Sequence, residues 1–344
     1  MKSSMPKDTM THALWTKIIE DASIQRSSQT LSVLGDDIYI YGGELRPREP
    51  VDSAVHRLSV HDTITTSSLT ISSLPNPPQP RVGAASTALN GQIYIFSGRG
   101  GLAMAPIEET GAFQILDPQR GWSYLKPDNT SPYPQGRSYH ALTNNGSDTI
   151  YLHAGCPETG RLRDLWAFHV PSRVWTQLPS APGPERGGSS IAYSDGKIYR
   201  MNGFDGAMEL GGAVDVFDLA ANEWRNISYA ADGVKGPIAR SVACLLALRV
   251  GGRQSLVTMF GERETSDLGH LGAGKMLSDM WVFDIQSEMW RKVVVDSEDR
   301  PPARGWFGAG VVGSGAEEGI VVQGGLGESN DRLGDVWMLK FEGI

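Results

Sequence analysis

The stretches IYIYGG (38–43), IYIFSG (93–98), IYLHAG (150–155), IYRMNG (198–203), LVTMFG (256–261) and IVVQGG (320–325) are six versions of one phrase, a β-branched and aromatic run closed by glycine. Such runs read as short strands, and the glycine marks a left-handed residue or a close backbone approach. The closing glycines Gly43, Gly98, Gly155, Gly203, Gly261 and Gly325 stand 55, 57, 48, 58 and 64 residues apart. An arginine precedes each by 17 to 21 residues: Arg26, Arg81, Arg137, Arg186, Arg240 and Arg304. Downstream, runs such as AFQILD (112–117), DLWAFHV (164–170), AVDVFDL (213–219) and DMWVFDI (279–285) are each followed by a tryptophan, at Trp122, Trp175, Trp224 and Trp290. Four strand signals per repeat make one propeller blade, so six repeats predict an all-β, six-bladed propeller occupying residues 1–344 as one domain.

The chain ends predict how the ring closes. Trp15 has no blade before it, and the last repeat stops at GDVWMLKF (334–341) without a following tryptophan. A strand near 15–19 is therefore expected to complete the last blade, 304–341, by pairing Trp15–Ile19 with Val336–Phe341 and removing two open edges. The first blade has no tryptophan in its fourth strand, where Leu69 or Ile71 takes the slot.

With 344 residues, a formal charge of −8 and 40% hydrophobic content, the chain has ample core material and no general basic face. Nucleic acid is not an expected partner. The apolar stretch at Cys244–Leu248 is cut short by Arg249, far below a membrane span, so no membrane association is expected. The start, MKSSMPKDTMTH, has no apolar signal core, and two cysteines make no disulfide framework, which together read as cytoplasmic. A homodimer is compatible with all of this.

The roughly 50-residue period, the six glycine ends, the six arginines and the tryptophan comb resemble the kelch family over essentially the whole chain. YGGELRPREPVD (41–52), RGGSSIAYSDGKIYRMNGFDG (186–206), GERETSDLGHLGAGK (261–275) and PPARGWFGAG (301–310) are similar to the plant nitrile-specifier, epithiospecifier and thiocyanate-forming proteins and their fungal kelch relatives. The resemblance implies a six-bladed propeller that uses Fe(II) to steer the breakdown of glucosinolate aglucones.

Loops after the second strand of each blade converge on one mouth of the shaft, where candidate chemistry is expected. The loop 261–275 offers Glu262, Glu264, Asp267 and His270, oxygen donors and an imidazole that suit Fe(II), Mn(II) or Zn(II). The plant pattern is Glu-x3-Asp-x3-His. Glu262 and His270 keep its spacing, whereas position 266 is Ser, leaving Asp267, or alternatively Glu264, as the third ligand. By resemblance, Arg99 and Arg161 match arginines placed over the substrate's anionic group, and Glu44 matches the acid of the family's GGE, as an ion-pair partner or a proton-transfer group. The repeated arginines, Arg137 among them, either line the shaft for an anion or brace their own blades. Phe204 and Trp306 form an apolar wall or belong to the core. Cys156 follows Gly155 in a mouth loop with no signal of a lowered thiol pKa.

The leading expectation is a non-redox lyase or isomerase acting on an anionic small molecule, with a divalent metal at the mouth and Glu262, His270 and Glu44 as catalytic groups. A kelch scaffold gripping an acidic peptide and a metal-free sugar epimerase are the alternatives. No Walker, G-x-S-x-G, H-E-x-x-H or C-x-x-C pattern supports nucleotide, hydrolase or structural-zinc chemistry.

Overall fold

In a computed structural model that describes residues 10–60, 69–72, 74–128, 131–315 and 318–342, excepting the side chain of His270, the repeats form six four-stranded units around a shaft. Blade 1 comprises Thr30–Leu34, Asp37–Tyr41, Val55–Ser59 and Leu69–Ser72, and the next four blades follow in chain order. Blade 6 takes Gly308–Val312, Gly319–Gln323 and Asp335–Glu342, and its fourth strand is Thr11–Glu20. Trp15 faces Leu339 and Ile19 faces Val336 in antiparallel register. The same strand also pairs in parallel with the outer strand of blade 5, Thr11 opposite Val293, so blades 5 and 6 share one continuous sheet.

Each blade carries one row of apolar side chains across its middle, because opposed residues in adjacent strands share a face. The rows are Ile38–Leu58–Leu69, Ile93–Leu116–Trp122, Ile150–Phe168–Trp175, Ile198–Phe217–Trp224, Leu256–Phe283–Trp290 and Ile320–Leu339–Trp15. Leu69 therefore fills the missing tryptophan's slot in blade 1, while Ile71 is exposed.

The repeated arginines are braces. Every one of the six is at least 94% buried and donates from Nη1, over 2.9–3.1 Å, to the carbonyl just before its blade's closing glycine. Arg81, Arg137, Arg240 and Arg304 also hold Glu109, Asp164, Asp279 and Asp335. Arg26 instead donates to His56 Nε2 at 2.8 Å, with the imidazole pushed down to about 4 by burial and then by that arginine. Among the described residues Arg186 makes no salt bridge, and burial and then the neighbouring Arg200 weigh against its charge, Asp215 only partly offsetting them.

Two cycles of backbone hydrogen bonds join the blades. Each closing glycine donates to the carbonyl of the next blade's arginine at 2.8–3.0 Å, as Gly43 does to Arg81 and Gly325 to Arg26. Nearer the axis, Ser28, Gly83, Tyr139, Gly188, Val242 and Trp306 form a closed ring in which each N–H donates to the carbonyl of the previous member, Ser28 to Trp306, at 2.8–3.1 Å. All six ring residues are left-handed, with φ between 48° and 63°. Gly261 shows why the blade ends are glycine: at φ 99°, a Cβ would sit 2.7 Å from the Ser241 carbonyl oxygen.

Arg304→Met is expected to lower stability by about 3–5 kcal/mol, because it strands Asp335 without a counter-charge. Arg26→Met, whose partner His56 is neutral, is expected to cost distinctly less. Chemical denaturation of the two variants side by side checks this, and equal losses would contradict it.

Candidate functional site

The residue after each closing glycine pairs, as an isolated bridge, with the residue after each repeated arginine. This places Glu44, Arg99, Cys156, Phe204, Glu262 and Leu326 at equivalent positions around one mouth. The mouth leads into a cavity of about 220 Å³ lined by Glu44, Cys156, Arg161, Phe204, Glu262, Trp306 and Arg332, with Tyr139 and Val242 below. A neighbouring cavity of about 250 Å³ includes Arg48, Arg99 and Glu158 and shares Glu44, Tyr139, Cys156 and Arg161 with the first.

Arg161 stands at the junction of the two cavities. Its guanidinium lies 5.0 Å from the Phe204 ring centroid and close enough to Asp205 to lower that carboxyl's pKa, and among the described residues no hydrogen bond or salt bridge holds it. Arg99 differs: Nε donates to Ser138 Oγ, Nη1 to the Met104 carbonyl, and Nη2 to the carbonyls of Cys156 and Pro157. It ties the loops of blades 2 and 3 together rather than presenting a free cation. Arg137, fully occupied by Gln135, Ala154 and Asp164, is a blade brace and not a ligand-binding group.

Glu44 is paired with Arg332 at 3.2 Å and accepts the Arg48 amide at 2.7 Å, so its carboxylate locks the loops of blades 1 and 6 across the ring's seam. Arg332, at the end of the mouth loop 327–332, is a cavity residue to which the sequence alone assigned no role. Trp306 and Phe204 do face the cavity, and Trp306 meets Tyr139 edge to face at 5.1 Å. Burial holds the Cys156 thiol above its ordinary pKa, against a nucleophilic role.

The loop of blade 5 leans over the mouth. Glu262–Arg263 pairs with Lys275–Met276, and Thr265, Ser266, Gly269 and Gly272 line the cavity. Blade 6 fastens this loop through Asn330 Nδ2 to the Leu271 carbonyl and through Glu328 to the Met276 amide. Glu262 is 5% exposed and accepts the Gly274 N–H at 2.7 Å. Gly274 has to be glycine, since a Cβ there would lie 2.5 Å from the Glu264 carbonyl oxygen. Burial, with the Glu209 carboxylate adding to it, pushes the Glu262 carboxyl up to about 6. The Trp306 indole eases that shift slightly, although its N–H closes no hydrogen bond of ordinary geometry.

Glu264, the alternative metal ligand, points to solvent and is held by Arg263 at 2.7 Å and Lys275 at 2.5 Å. Asp267 is exposed, and the His270 side chain lies outside the described residues. Among the described residues, which leave out the His270 side chain, no three His, Cys, Asp or Glu side chains come together as a metal shell.

Residues 28–261 match the KLHDC2/KLHL20/DRC7 Kelch-repeats domain. The chain belongs to the kelch-repeat family. Among curated proteins it is similar to an N-(sulfonatooxy)prop-2-enimidothioate sulfolyase of Thlaspi arvense, 25% identical over 334 residues that cover 91% of each chain. That likeness bears out the specifier-type resemblance read from the sequence. It is also similar to the Leucine-zipper-like transcriptional regulator 1 homolog of Drosophila melanogaster, 21% identical over 97% of this chain but 33% of that one. Among solved structures, YjhT superposes on this kelch propeller with a TM-score of 0.71 at 15% identity, covering 95% of this chain and all of the other, a likeness of fold.

The raised carboxyl at Glu262 has a consequence for stability. The folded chain holds this proton more tightly than the unfolded one, so the group favours folding at acid pH and loses that advantage as pH rises through about 6. Glu262→Gln keeps an oxygen for the Gly274 N–H and is expected to raise stability near neutral pH by up to about 2 kcal/mol. Denaturant midpoints measured across mildly acid to neutral pH check this, and a variant less stable than wild type would contradict it.

Proposed function

We propose that this kelch protein is a non-redox lyase or isomerase that works at the propeller mouth on a small anionic molecule with an apolar body. The observation that carries the reading is the Arg161 guanidinium, stacked on Phe204 at the junction of the two cavities with no hydrogen bond or salt bridge among the described residues, and the Glu262 carboxyl, its pKa raised to about 6 by burial, lining the same space. A planar guanidinium that feels the Asp205 carboxylate but makes no salt bridge among the described residues keeps its donors open for bidentate capture of a sulfate, sulfonate or carboxylate. Trp306, Phe204 and Val242 give the wall against which the substrate body rests and from which water is excluded.

In such a site a carboxyl with its pKa near 6 handles a proton close to neutral pH. On an N-sulfonatooxy imidothioate, ionised Glu262 takes the thiol proton, the pair left on sulfur forms a C=S bond as the carbon substituent moves with its bonding pair to nitrogen, and sulfate departs with the N–O pair onto Arg161. Glu44 and Arg332 hold the mouth in shape through their ion pair. The relative from Thlaspi arvense supports this class, because its name describes a sulfolyase acting on a sulfonatooxy compound. No step is routed through a metal, since the described carboxylates do not form a shell for one.

Turnover of an N-sulfonatooxy imidothioate, followed by mass spectrometry, tests the proposal. Arg161→Ala and Glu262→Gln are each expected to lower kcat/KM at least tenfold, with the Arg161→Ala melting temperature within a few degrees of wild type. Wild-type activity should survive dialysis against a chelator. Activity that vanishes with chelator and returns with Fe(II) would place an ion at Glu262 and His270 and overturn the proton role of Glu262.

A further inference from the structure

The shaft contains a second chamber. A cavity of about 120 Å³ lies on the other side of the hydrogen-bonded ring, and Tyr139, Gly188, Val242 and Trp306 line both it and the mouth cavity. The ring is thus a septum. Its backbone is the same in all six blades, so the side chains alone decide how closed it is. Gly83 and Gly188 contribute nothing to the closure, Val242 projects a short branched group, and Trp306 and Tyr139 meet edge to face at 5.1 Å. The lower chamber presents Ser28, Gln29, His140 and Ser189 and no carboxylate, lysine or arginine. A neutral tail that entered it would meet no charge.

We propose that Trp306, with Val242 and Tyr139, is the specificity-determining floor of the mouth: it sets how long a ligand body the site accepts and keeps the chamber beneath as unused depth. This rests on the reading that the anionic group sits at Arg161 and the body points down the shaft. The left-handed backbone makes the inference testable without loss of the fold, since glycine occupies two ring positions already and is the residue best suited to φ 60° at Trp306 and φ 48° at Val242.

The probe is the series of n-alkyl sulfonates from ethyl to octyl, titrated calorimetrically into the full chain. Wild type is expected to gain affinity with chain length up to a cut-off and lose it beyond. Trp306→Gly should move that cut-off upward by about three or four carbons, the lower chamber having room for about four water-sized groups. Val242→Gly should move it less. Melting curves establish that the variants fold, and Val242→Gly decides the matter if Trp306→Gly does not. Should wild type bind the short sulfonates and both folded variants keep the wild-type cut-off, the floor assignment is overturned while the Arg161 reading stands. Should no sulfonate bind wild type, or Arg161→Ala bind the short ones equally well, the Arg161 reading fails, and the floor with it.

Discussion

Everything in this propeller is organised around the closed ring of six amide-to-carbonyl hydrogen bonds at Ser28, Gly83, Tyr139, Gly188, Val242 and Trp306. A ring has no end, so no donor or acceptor is left over on the axis, where burial would make an orphan costly. The conformation needed is unfavourable for four of its members, and least comfortable for the β-branched Val242. What holds them there is the second cycle, glycine amide to arginine carbonyl, and the arginine side chain that clamps each blade's turn from within. Because each blade supplies one donor and one acceptor to both cycles, displacing one blade breaks bonds to two neighbours. The strand Thr11–Glu20 matters for the same reason: by completing blade 6 and touching blade 5, it keeps the circle shut.

The charge distribution follows from this arrangement. An acidic chain keeps six arginines at its centre, yet nearly all of their positive charge is answered, by carboxylates in blades 2, 3, 5 and 6 and by carbonyls throughout. They make a rigid frame rather than an attractive field. Arg161 is different because it comes from the rim loop, where no repeat constraint supplies a partner, and lies against an aromatic ring. The six repeat arginines are buried and bonded within their blades, whereas this loop arginine makes no salt bridge among the described residues.

The repeat was legible because it is dictated by backbone geometry: a glycine where Cβ would strike a carbonyl, an arginine where two carbonyls converge, and a large apolar group where two sheets meet. The same periodicity, carried two residues past each arginine and one past each glycine, contains the ring and the mouth positions, and would have brought Tyr139 and Val242 forward beside Trp306. Roles that depend on side-chain direction were not legible. Arg99 and Arg161 occupy similar loops, and only their surroundings show that one is tied to carbonyls while the other, stacked on Phe204, makes no hydrogen bond among the described residues. Glu262 and Glu264 are two residues apart and would share a face if the strand ran on, but it ends at Arg263 and Glu264 is left-handed at φ 54°, which turns its side chain into water beside Lys275 while Glu262 faces the shaft. Arg332 lies 288 positions from Glu44 and becomes its partner only when the ring closes.

The central claim is that the six-membered ring is a cooperative structural core. Residue-resolved amide hydrogen exchange under native conditions tests it most directly. The amides of Ser28, Gly83, Tyr139, Gly188, Val242 and Trp306 should belong to the slowest class in the chain and open together, with a free energy equal to that of global unfolding. Exchange of these six at the rate of the rim loops, or one by one with different free energies, would contradict the account.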